Sequence, residues 1–288
     1  MTHASVRRGE IENDLIRARS GYRELWTRVI SDWRDSATGN HAWLTYSANY
    51  LLSCRGYKWA LDPFSMSSRV GGTPAPDYRI DLAPLSLVVL THEHNDHLDL
   101  NLVRALMDAD IEWVIPAYVQ EVLNKVGALP GKGVITPAAG ESIVRGPVRL
   151  VPFESLHIHG RHGVPETGYL VEMDDARWLF PGDIRDYDLS RMPGFGRLDG
   201  AVAHLWLGKA RALEEEAPLL RAFCDFYAGL EPEQLFISHM NEFGRDERDL
   251  WREEHFQQVK AALSQRKPDL RVEKYLMGDR MDLDPAAG

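Results

Sequence analysis

The feature that most constrains this chain is a cluster of metal-ligand side chains directly after a short apolar segment. The segment LSLVVL (85–90) has the length and continuous hydrophobicity of a strand buried on both faces of a sheet. It is followed by THEHNDHLD (91–99), which contains three histidines and two aspartates. Since ligand chemistry in layered α/β folds is commonly placed at the carboxyl ends of strands, this arrangement predicts an α/β fold with a metal site there.

The spacing within the motif predicts sites for two metals. His92 and His94 are two residues apart, so in extended backbone their side chains project to the same side. Asp96 and His97 are adjacent and point elsewhere if the chain turns at that place. One loop can therefore supply two ligands to each of two metals. Asp99 has a different predicted role, as the N-cap of the helix that follows.

The other histidines are also unevenly distributed. Of the 11 histidines, His157, His159 and His162 form a second group. His204 and His239 lie within or at the end of predicted strands. We interpret His162 as a loop residue and His204 as a histidine of the core or of the neighbourhood of the site.

The rest of the chain is predicted to form one domain over residues 1–288, because no change of composition marks a linker. Apolar residues at helical spacing predict an N-terminal helix at about 11–34. Residues 42–64 predict two strands around a turn at Arg55-Gly56. A loop rich in Ser, Gly and Pro follows at about 65–84, and its length favours a function in substrate binding.

Strands alternate with helices as far as the segment YVQEVLNKVG, which is typical of α/β layering. From residue 133 onward, short segments separated by Gly, Pro and Asp predict a second sheet of mostly adjacent antiparallel strands. The tail after about Arg280 is expected to lack regular structure.

Composition argues against several classes of protein. No apolar window is long enough for a membrane span, and the N-terminus lacks the apolar segment of a secretory signal, so we expect a cytoplasmic protein. Cys54 and Cys224 lie in apolar surroundings and are expected to be buried free thiols. The net charge of −10 does not favour nucleic acid as a partner. We expect a small-molecule substrate, and the sequence leaves a homo-oligomer open.

The motif set resembles that of the metallo-β-lactamase-fold hydrolases, which have T-H-x-H-x-D-H followed by a distant His, Asp and His. THEHNDH, VPFESLHIHG, FPGD and FISHM supply these in order, and the resemblance extends over about 42–239. WALDPF is similar to the family's strand ending in Asp-Pro. The UlaG-like group of lactonase-type enzymes and phosphodiesterase relatives is the most similar in form. The resemblance implies an α/β fold, a four-layer αββα sandwich with two mixed sheets.

The resemblance also implies two sets of ligands that share one carboxylate. They are His92, His94 and His157 for one metal, Asp96, His97 and His239 for the second, and Asp183 for both. Either histidine of SLHIHG could be the ligand, and we prefer His157 over His159 because it directly follows the predicted strand. Imidazole and carboxylate donors suit two Zn²⁺ ions best, and they also fit Mn²⁺ or Fe²⁺.

This ligand chemistry predicts a dinuclear metal-dependent hydrolase that uses a metal-bound hydroxide. Asp96 can ligate a metal while it accepts or delivers a proton, and it is the predicted catalytic residue. Polar residues beside the ligands are candidates for substrate contacts, with Arg69 of the long loop a further one. They are Lys209, Arg185, Tyr187 and His159. Lys209, at the end of a predicted strand, is the best of them and suggests an anionic substrate.

The UlaG-like resemblance favours a lactone or similar ester as the substrate. The alternative is a phosphodiester of a nucleotide or lipid head-group, which the same hydroxide would attack. A non-catalytic metal-binding protein of the same fold is a lesser alternative, since every ligand has a candidate. β-Lactam hydrolysis is disfavoured because such enzymes are generally exported. A di-iron flavoprotein type of oxidoreductase is disfavoured because His94 replaces the acidic residue required there.

Overall fold

The computed structural model describes residues 3–158, 163–205, 219–240, 243 and 253–285. The helices in this part of the chain are α1 (His3–Asp35), α2 (Met66–Val70), α3 (Tyr78–Asp81), α4 (Leu100–Leu106), α5 (Ala117–Lys125), α6 (Leu219–Gly229) and α7 (Glu253–Arg266). The strands are β1 (Asn40–Leu44), β2 (Tyr50–Cys54), β3 (Tyr57–Leu61), β4 (Leu87–Val89), β5 (Glu112–Val114), β6 (Val134–Ile135), β7 (Ile143–Arg145), β8 (Val148–Glu154), β9 (Thr167–Met173), β10 (Ala176–Phe180), β11 (Gly200–His204), β12 (Gln234–Ser238), β13 (Arg271–Lys274) and β14 (Arg280–Asp282).

These strands form two seven-stranded mixed sheets. The first has the order β14-β1-β2-β3-β4-β5-β6, and the second has the order β13-β12-β11-β10-β9-β8-β7. In the first sheet the pairs from β14 to β3 are antiparallel and those from β3 to β6 are parallel. In the second sheet the pairs from β7 to β10 are antiparallel and those from β10 to β13 are parallel. Each sheet therefore has several strands whose carboxyl ends meet at one edge.

Three apolar clusters separate four layers. Helices α1, α4 and α5 pack on the outer face of the first sheet in a cluster that includes Trp33, Leu102 and Trp113. The inner faces of the two sheets meet in a second cluster that includes Trp59 and Trp178. Helices α6 and α7 cover the second sheet through a third cluster. The predicted αββα arrangement with two mixed sheets is thus confirmed.

The structure differs from the sequence predictions in three places. Residues 42–64 contribute to three strands, because a second turn at 45–49 separates β1 from β2. The long loop contains the short helices α2 and α3. The expectation for the tail was wrong, since β14 pairs with β1 and Met281 is completely buried between the sheets. An isolated three-residue segment carries no strand signal, and its partner lies more than 200 residues away.

Asp99 caps α4, as the sequence predicts, and also anchors the segment containing α2 and α3. Its Oδ1 accepts hydrogen bonds from the backbone N–H groups of Asn101 and Leu102. Its Oδ2 accepts hydrogen bonds from Ser68 Oγ at 2.6 Å and from Tyr78 OH at 3.0 Å. The cap of the helix that follows the motif is therefore also the attachment point of the predicted substrate loop.

None of the described helices is long and apolar enough to cross a membrane. Both cysteines, Cys54 and Cys224, are buried free thiols.

Candidate metal centre

The candidate ligands lie at the carboxyl ends of four strands from both sheets. In the first sheet, β4 leads into the loop that carries His92, His94, Asp96 and His97. In the second sheet, β8, β10 and β12 lead to the other three, which are His157, Asp183 and His239. Because these strands are parallel within each sheet, their ends share one edge of the sandwich. Residues separated by up to 147 positions thus meet in one place.

Three histidines form the first donor set. The ring centroids of His92 and His94 are 4.8 Å apart, those of His92 and His157 are 4.7 Å apart, and those of His94 and His157 are 4.8 Å apart. The rings are nearly perpendicular to one another. One nitrogen of each ring and one oxygen of Asp183 lie within 4.8 Å of one another. Three imidazoles and a carboxylate can hold one divalent cation.

The second donor set consists of Asp96, His97 and His239, whose ligand atoms are also within 4.8 Å of one another. Asp96 Oδ2 is 3.4 Å from His239 Nε2. Asp183 faces this set as well, with its Oδ2 3.4 Å from His97 Nε2 and 4.0 Å from His239 Nε2. The geometry therefore places Asp183 between the two sets.

The electrostatics of the first set favour metal binding. Burial lowers the pKa of His92 well below its usual value, lowers that of His94, and lowers that of His157 to about 4. These imidazoles are therefore neutral near pH 7, which is the form that binds metals. The Nε2 atoms of His92 and His157 are buried and have no hydrogen-bond partner within the described part of the chain. Buried polar atoms are rarely left unpaired, so a cation fits this position.

The second set is an ion cluster when no metal is bound. Burial by itself lowers the pKa of His97, but the carboxylates of Asp183 and Asp62 outweigh it and raise that pKa well above the usual value. Burial opposes ionisation of Asp183, yet His97 and His239 hold its pKa well below the usual value. A divalent cation would replace the proton of His97 as the partner of these carboxylates.

Glu166, directly before β9, contacts a ligand of the first donor set through the ring nitrogen opposite the candidate metal position. Its Oε1 lies 2.9 Å from His92 Nδ1, and its Oε2 accepts a hydrogen bond of 2.8 Å from Ser155 Oγ. The backbone N–H of Asp183 donates to both carboxylate oxygens. A carboxylate at Nδ1 fixes the orientation of a ligating imidazole through its other nitrogen. Glu166 therefore aligns His92 and the turn that presents Asp183.

Asp62 supports the second set in the same manner. It follows β3, and its Oδ2 lies 2.8 Å from His97 Nδ1, while its Oδ1 accepts from the backbone N–H of Thr91. Asn49 Nδ2 donates to the carbonyl groups of Asp62 and Asp96. Asp62 and His239 both have left-handed backbone conformations, with φ of 44° and 63°. Such strain is rare outside glycine and is concentrated at functional sites.

His204, the last residue of β11, contacts the shared carboxylate. Its Nδ1 lies 2.8 Å from Asp183 Oδ1. Its Nε2 lies 3.0 Å from Tyr50 OH, which is 2.6 Å from Ser238 Oγ. All four side chains are buried. A chain of hydrogen bonds thus connects Asp183 to β12, the strand that precedes His239.

The residues predicted to contact substrate have different positions. Arg185 is half-buried, and its backbone N–H donates to the carbonyl of Leu156 at 2.9 Å, next to His157. Tyr187 packs against Phe223 and Phe226 of α6. The predicted contact of Tyr187 with substrate stays a prediction.

Three further residues discussed in the sequence analysis lie outside the described residues. They are His159, His162 and Lys209. Arg69 lies in α2, in the predicted substrate loop.

Three residues of the centre were not among the sequence-predicted site residues. The position of Asp62 in the Asp-Pro strand ending was a usable signal. Glu166 gave no comparable signal, because a single acidic residue before a strand is common. His204 was interpreted as a residue of the core or of the neighbourhood of the site, but its position in an apolar strand did not indicate which side chain it contacts. The contacts of these two residues with His92 and Asp183 exist only because strands distant in sequence end at the same edge.

The metal-free protein is expected to lose stability when the pH falls from 6.5 to 5. Buried His92, His157 and His204 have a lower pKa in the folded state than the value of about 6.5 of an unfolded histidine. Unfolding therefore takes up protons at these three sites, whereas His97 and Glu166, with raised pKa values, act in the opposite direction. A net uptake of about one proton lowers the free energy of unfolding by about 2 kcal/mol over this range.

Urea unfolding of the chelator-treated protein at pH 6.5 and pH 5 measures this change. An equal or greater stability at pH 5 would contradict the assigned protonation states. The Zn²⁺-loaded protein serves as the control, because bound metal adds to stability by mass action.

Comparison with known proteins gives matches to one family. The family model described as the β-lactamase superfamily domain matches residues 61–240. N-acyl-phosphatidylethanolamine-hydrolyzing phospholipase D 1 of Caenorhabditis elegans is 25% identical in an alignment of 177 positions that covers 54% of this chain and 49% of that protein. The match thus spans about half the length of this curated relative.

Solved structures with the same fold include enzymes of different chemistry. Igni18, a metallo hydrolase from Ignicoccus hospitalis, has a TM-score of 0.59 and 18% identity, over 84% of this chain and 97% of that chain. CmlA, a diiron β-hydroxylase from Streptomyces venezuelae, has a TM-score of 0.56 and 16% identity, over 85% of this chain and 54% of that chain. These likenesses establish the fold and leave the reaction to be argued from the site.

Proposed function

Because the chain belongs to the β-lactamase superfamily domain family and is a metal-dependent hydrolase, we propose that it cleaves a phosphodiester bond in an amphiphilic substrate. The observation that carries this proposal is the sequence match to a phospholipase that hydrolyses N-acyl-phosphatidylethanolamine. That substrate is a phosphodiester with hydrocarbon chains. This match favours the phosphodiesterase alternative over the preferred lactone, and the lactone preference and the UlaG-like assignment stay predictions.

Arg185 supports an anionic substrate. Arg185 lies two residues after Asp183, and its backbone N–H bonds to the carbonyl of Leu156, next to His157. Besides burial, its charge contributes to the lowered pKa of His94 and of His157. A guanidinium pairs with phosphate oxygens in a bidentate manner. We assign Arg185 to the binding of the phosphoryl group.

A cleft of about 230 Å³ is the evidence for an apolar part of the substrate. It lies at the same edge of the sandwich, and most of its lining is apolar, including Tyr118, Phe153, Ile158 and Pro165. Ile158 directly follows the candidate ligand His157 and is 57% exposed. Exposed aliphatic surface beside a site is typical of a binding region for apolar groups. We assign this cleft to the part of a hydrocarbon chain nearest the head-group.

In the proposed reaction, His92, His94 and His157 would hold one metal ion, and Asp96, His97 and His239 would hold the other. Asp183, which faces both donor sets, would be available to both. When bound, the two ions supply activation of water and polarisation of a phosphoryl oxygen. Asp96, whose Oδ2 lies 3.4 Å from His239 Nε2, would accept the proton of the attacking water and deliver one to the leaving group. Arg185 stabilises the charge that develops on the phosphoryl oxygens.

The test is a substrate screen with the protein reconstituted with Zn²⁺ or Mn²⁺, with and without chelator. We expect turnover of diacyl glycerophosphoethanolamine-type phosphodiesters and loss of that turnover with chelator. We also expect a higher kcat/KM for long acyl chains than for short ones. Turnover of lactones without any phosphodiesterase activity would contradict the proposal and favour the sequence-based alternative. Oxygen-dependent turnover of the Fe²⁺-loaded protein would indicate oxidative chemistry instead.

Arg185→Ala is expected to lower kcat/KM for phosphodiesters roughly 10- to 100-fold, because a charged hydrogen-bonding partner of the phosphoryl group is removed. Arg191→Ala is the matched control, since Arg191 lies in the same segment, is exposed and pairs with Asp186 at 2.5 Å. A similar loss in both variants would contradict the assigned role of Arg185. A neutral ester substrate, if turned over, should be less affected by Arg185→Ala than a phosphodiester.

A further inference from the structure

His204 is the buried histidine of the centre that belongs to neither donor set. It lies at the end of β11, between β10, which leads to Asp183, and β12, which leads to His239. Both ring nitrogens have partners, since Nδ1 contacts Asp183 Oδ1 and Nε2 contacts Tyr50 OH. This pairing argues against a metal ligand role, although His204 lies within reach of His97 and Asp183.

The hydrogen bonds are consistent with one assignment of protons. A carboxylate oxygen only accepts, so His204 Nδ1–H donates to Asp183 Oδ1. The lone pair of Nε2 then accepts from the Tyr50 hydroxyl, whose oxygen accepts from Ser238 Oγ–H. Tyr50 belongs to the first sheet and Ser238 to the second. The orientation of His204 is therefore set by both sheets.

This arrangement leaves one oxygen of Asp183 for the second donor set. Oδ1 is held by His204, whereas Oδ2 faces His97 Nε2 at 3.4 Å and His239 Nε2 at 4.0 Å. Without the bond at Oδ1, the carboxylate could rotate about its terminal torsion, which has broad energy minima.

We propose that His204, held by Tyr50 and Ser238, is a positioning residue that fixes the carboxylate of Asp183 between the two donor sets. The inference rests on the proposed metal-dependent function and adds a role to residues outside the ligand motif. Partners of this kind change metal affinity or activity by about 10- to 100-fold when they are removed.

The test is a Co²⁺ titration of the metal-free chain of 288 residues, followed by visible absorption, which reports the coordination geometry. Tyr50→Phe removes one hydroxyl from the chain of hydrogen bonds. We expect the weaker of two Co²⁺ ions to bind about 10- to 100-fold less tightly, with an altered spectrum and a lower kcat at unchanged KM. Tyr169→Phe is the matched control, because Tyr169 is equally buried between the sheets and donates one hydrogen bond of 3.0 Å to the Leu90 carbonyl.

A second pair of variants tests His204 itself. In His204→Asn the amide nitrogen is as many bonds from the backbone as Nδ1 and can still donate to Asp183, whereas His204→Leu has no donor. We expect Co²⁺ affinity close to that of the wild type for His204→Asn and a loss of about 10- to 100-fold for His204→Leu. Equal affinities within both pairs of variants would overturn the positioning role. A wild-type protein that binds no Co²⁺ would instead refute the proposed function on which the inference rests.

Discussion

Asp183→Asn is expected to reduce the bound metal from two equivalents to one or fewer and to lower kcat/KM roughly 10³-fold. Asparagine has the same shape as aspartate, so packing and the hydrogen bond from His204 can persist. The change removes a negative charge that faces both donor sets. A carboxamide is a weak ligand for a divalent cation and does not offset the repulsion between two of them.

Metal content measured by mass spectrometry, together with initial rates on a phosphodiester, checks this result. Asp186→Asn is the control, because Asp186 lies in the same turn region, is half-buried and pairs with Arg191. Two equivalents of metal and activity within tenfold of the wild type in Asp183→Asn would refute the shared position of this carboxylate.

Gly182→Ala is expected to lower the free energy of unfolding by about 3 kcal/mol and to abolish binding of at least one metal. Gly182 has a φ of 80°, a left-handed conformation that is unfavourable for alanine. A Cβ at this position would also overlap the carboxylate of Glu166. That carboxylate is fixed by Ser155 and by the backbone of Asp183, so it cannot move aside without disturbing the centre.

Urea unfolding and metal content measure the two effects. Gly194→Ala provides the comparison, because Gly194 has no atom near the added Cβ and no left-handed conformation. A Gly182→Ala protein with wild-type stability and full metal content would show that the turn tolerates a side chain. It would also show that metal binding does not require Glu166 at its present position.

The order of the candidate ligands could be predicted from the sequence because each ligand has a local signal. The motif from His92 to His97 follows a buried strand, and His157, Asp183 and His239 each follow a predicted strand. The residue that follows a strand lies at the edge of the sheet, and this holds whichever strands pair with that strand. The tail of the chain could not be predicted in this way, because β14 is a strand only by virtue of its pairing with β1.

The residues around the ligands depend on contacts between strands that are distant in sequence. Glu166 is 74 positions from His92, and Tyr50 is 154 positions from His204. Neither pair has a spacing that a helix or a strand would bring together. Their hydrogen bonds form because the two sheets pack face to face. The amino-acid pattern predicts that such sheets exist, but it does not predict which residues of the two sheets contact each other.

The sequence alone determined the fold class and the types and order of the candidate ligands, because these depend on local hydrophobicity and on the chemistry of His and Asp. The tertiary structure decided which atom faces which. In the folded chain Asp183 Oδ2 faces His97 and His239, and Asp183 Oδ1 accepts a hydrogen bond from His204. The physical reason is that a carboxylate has two equivalent oxygens, and only the surrounding buried hydrogen bonds distinguish them.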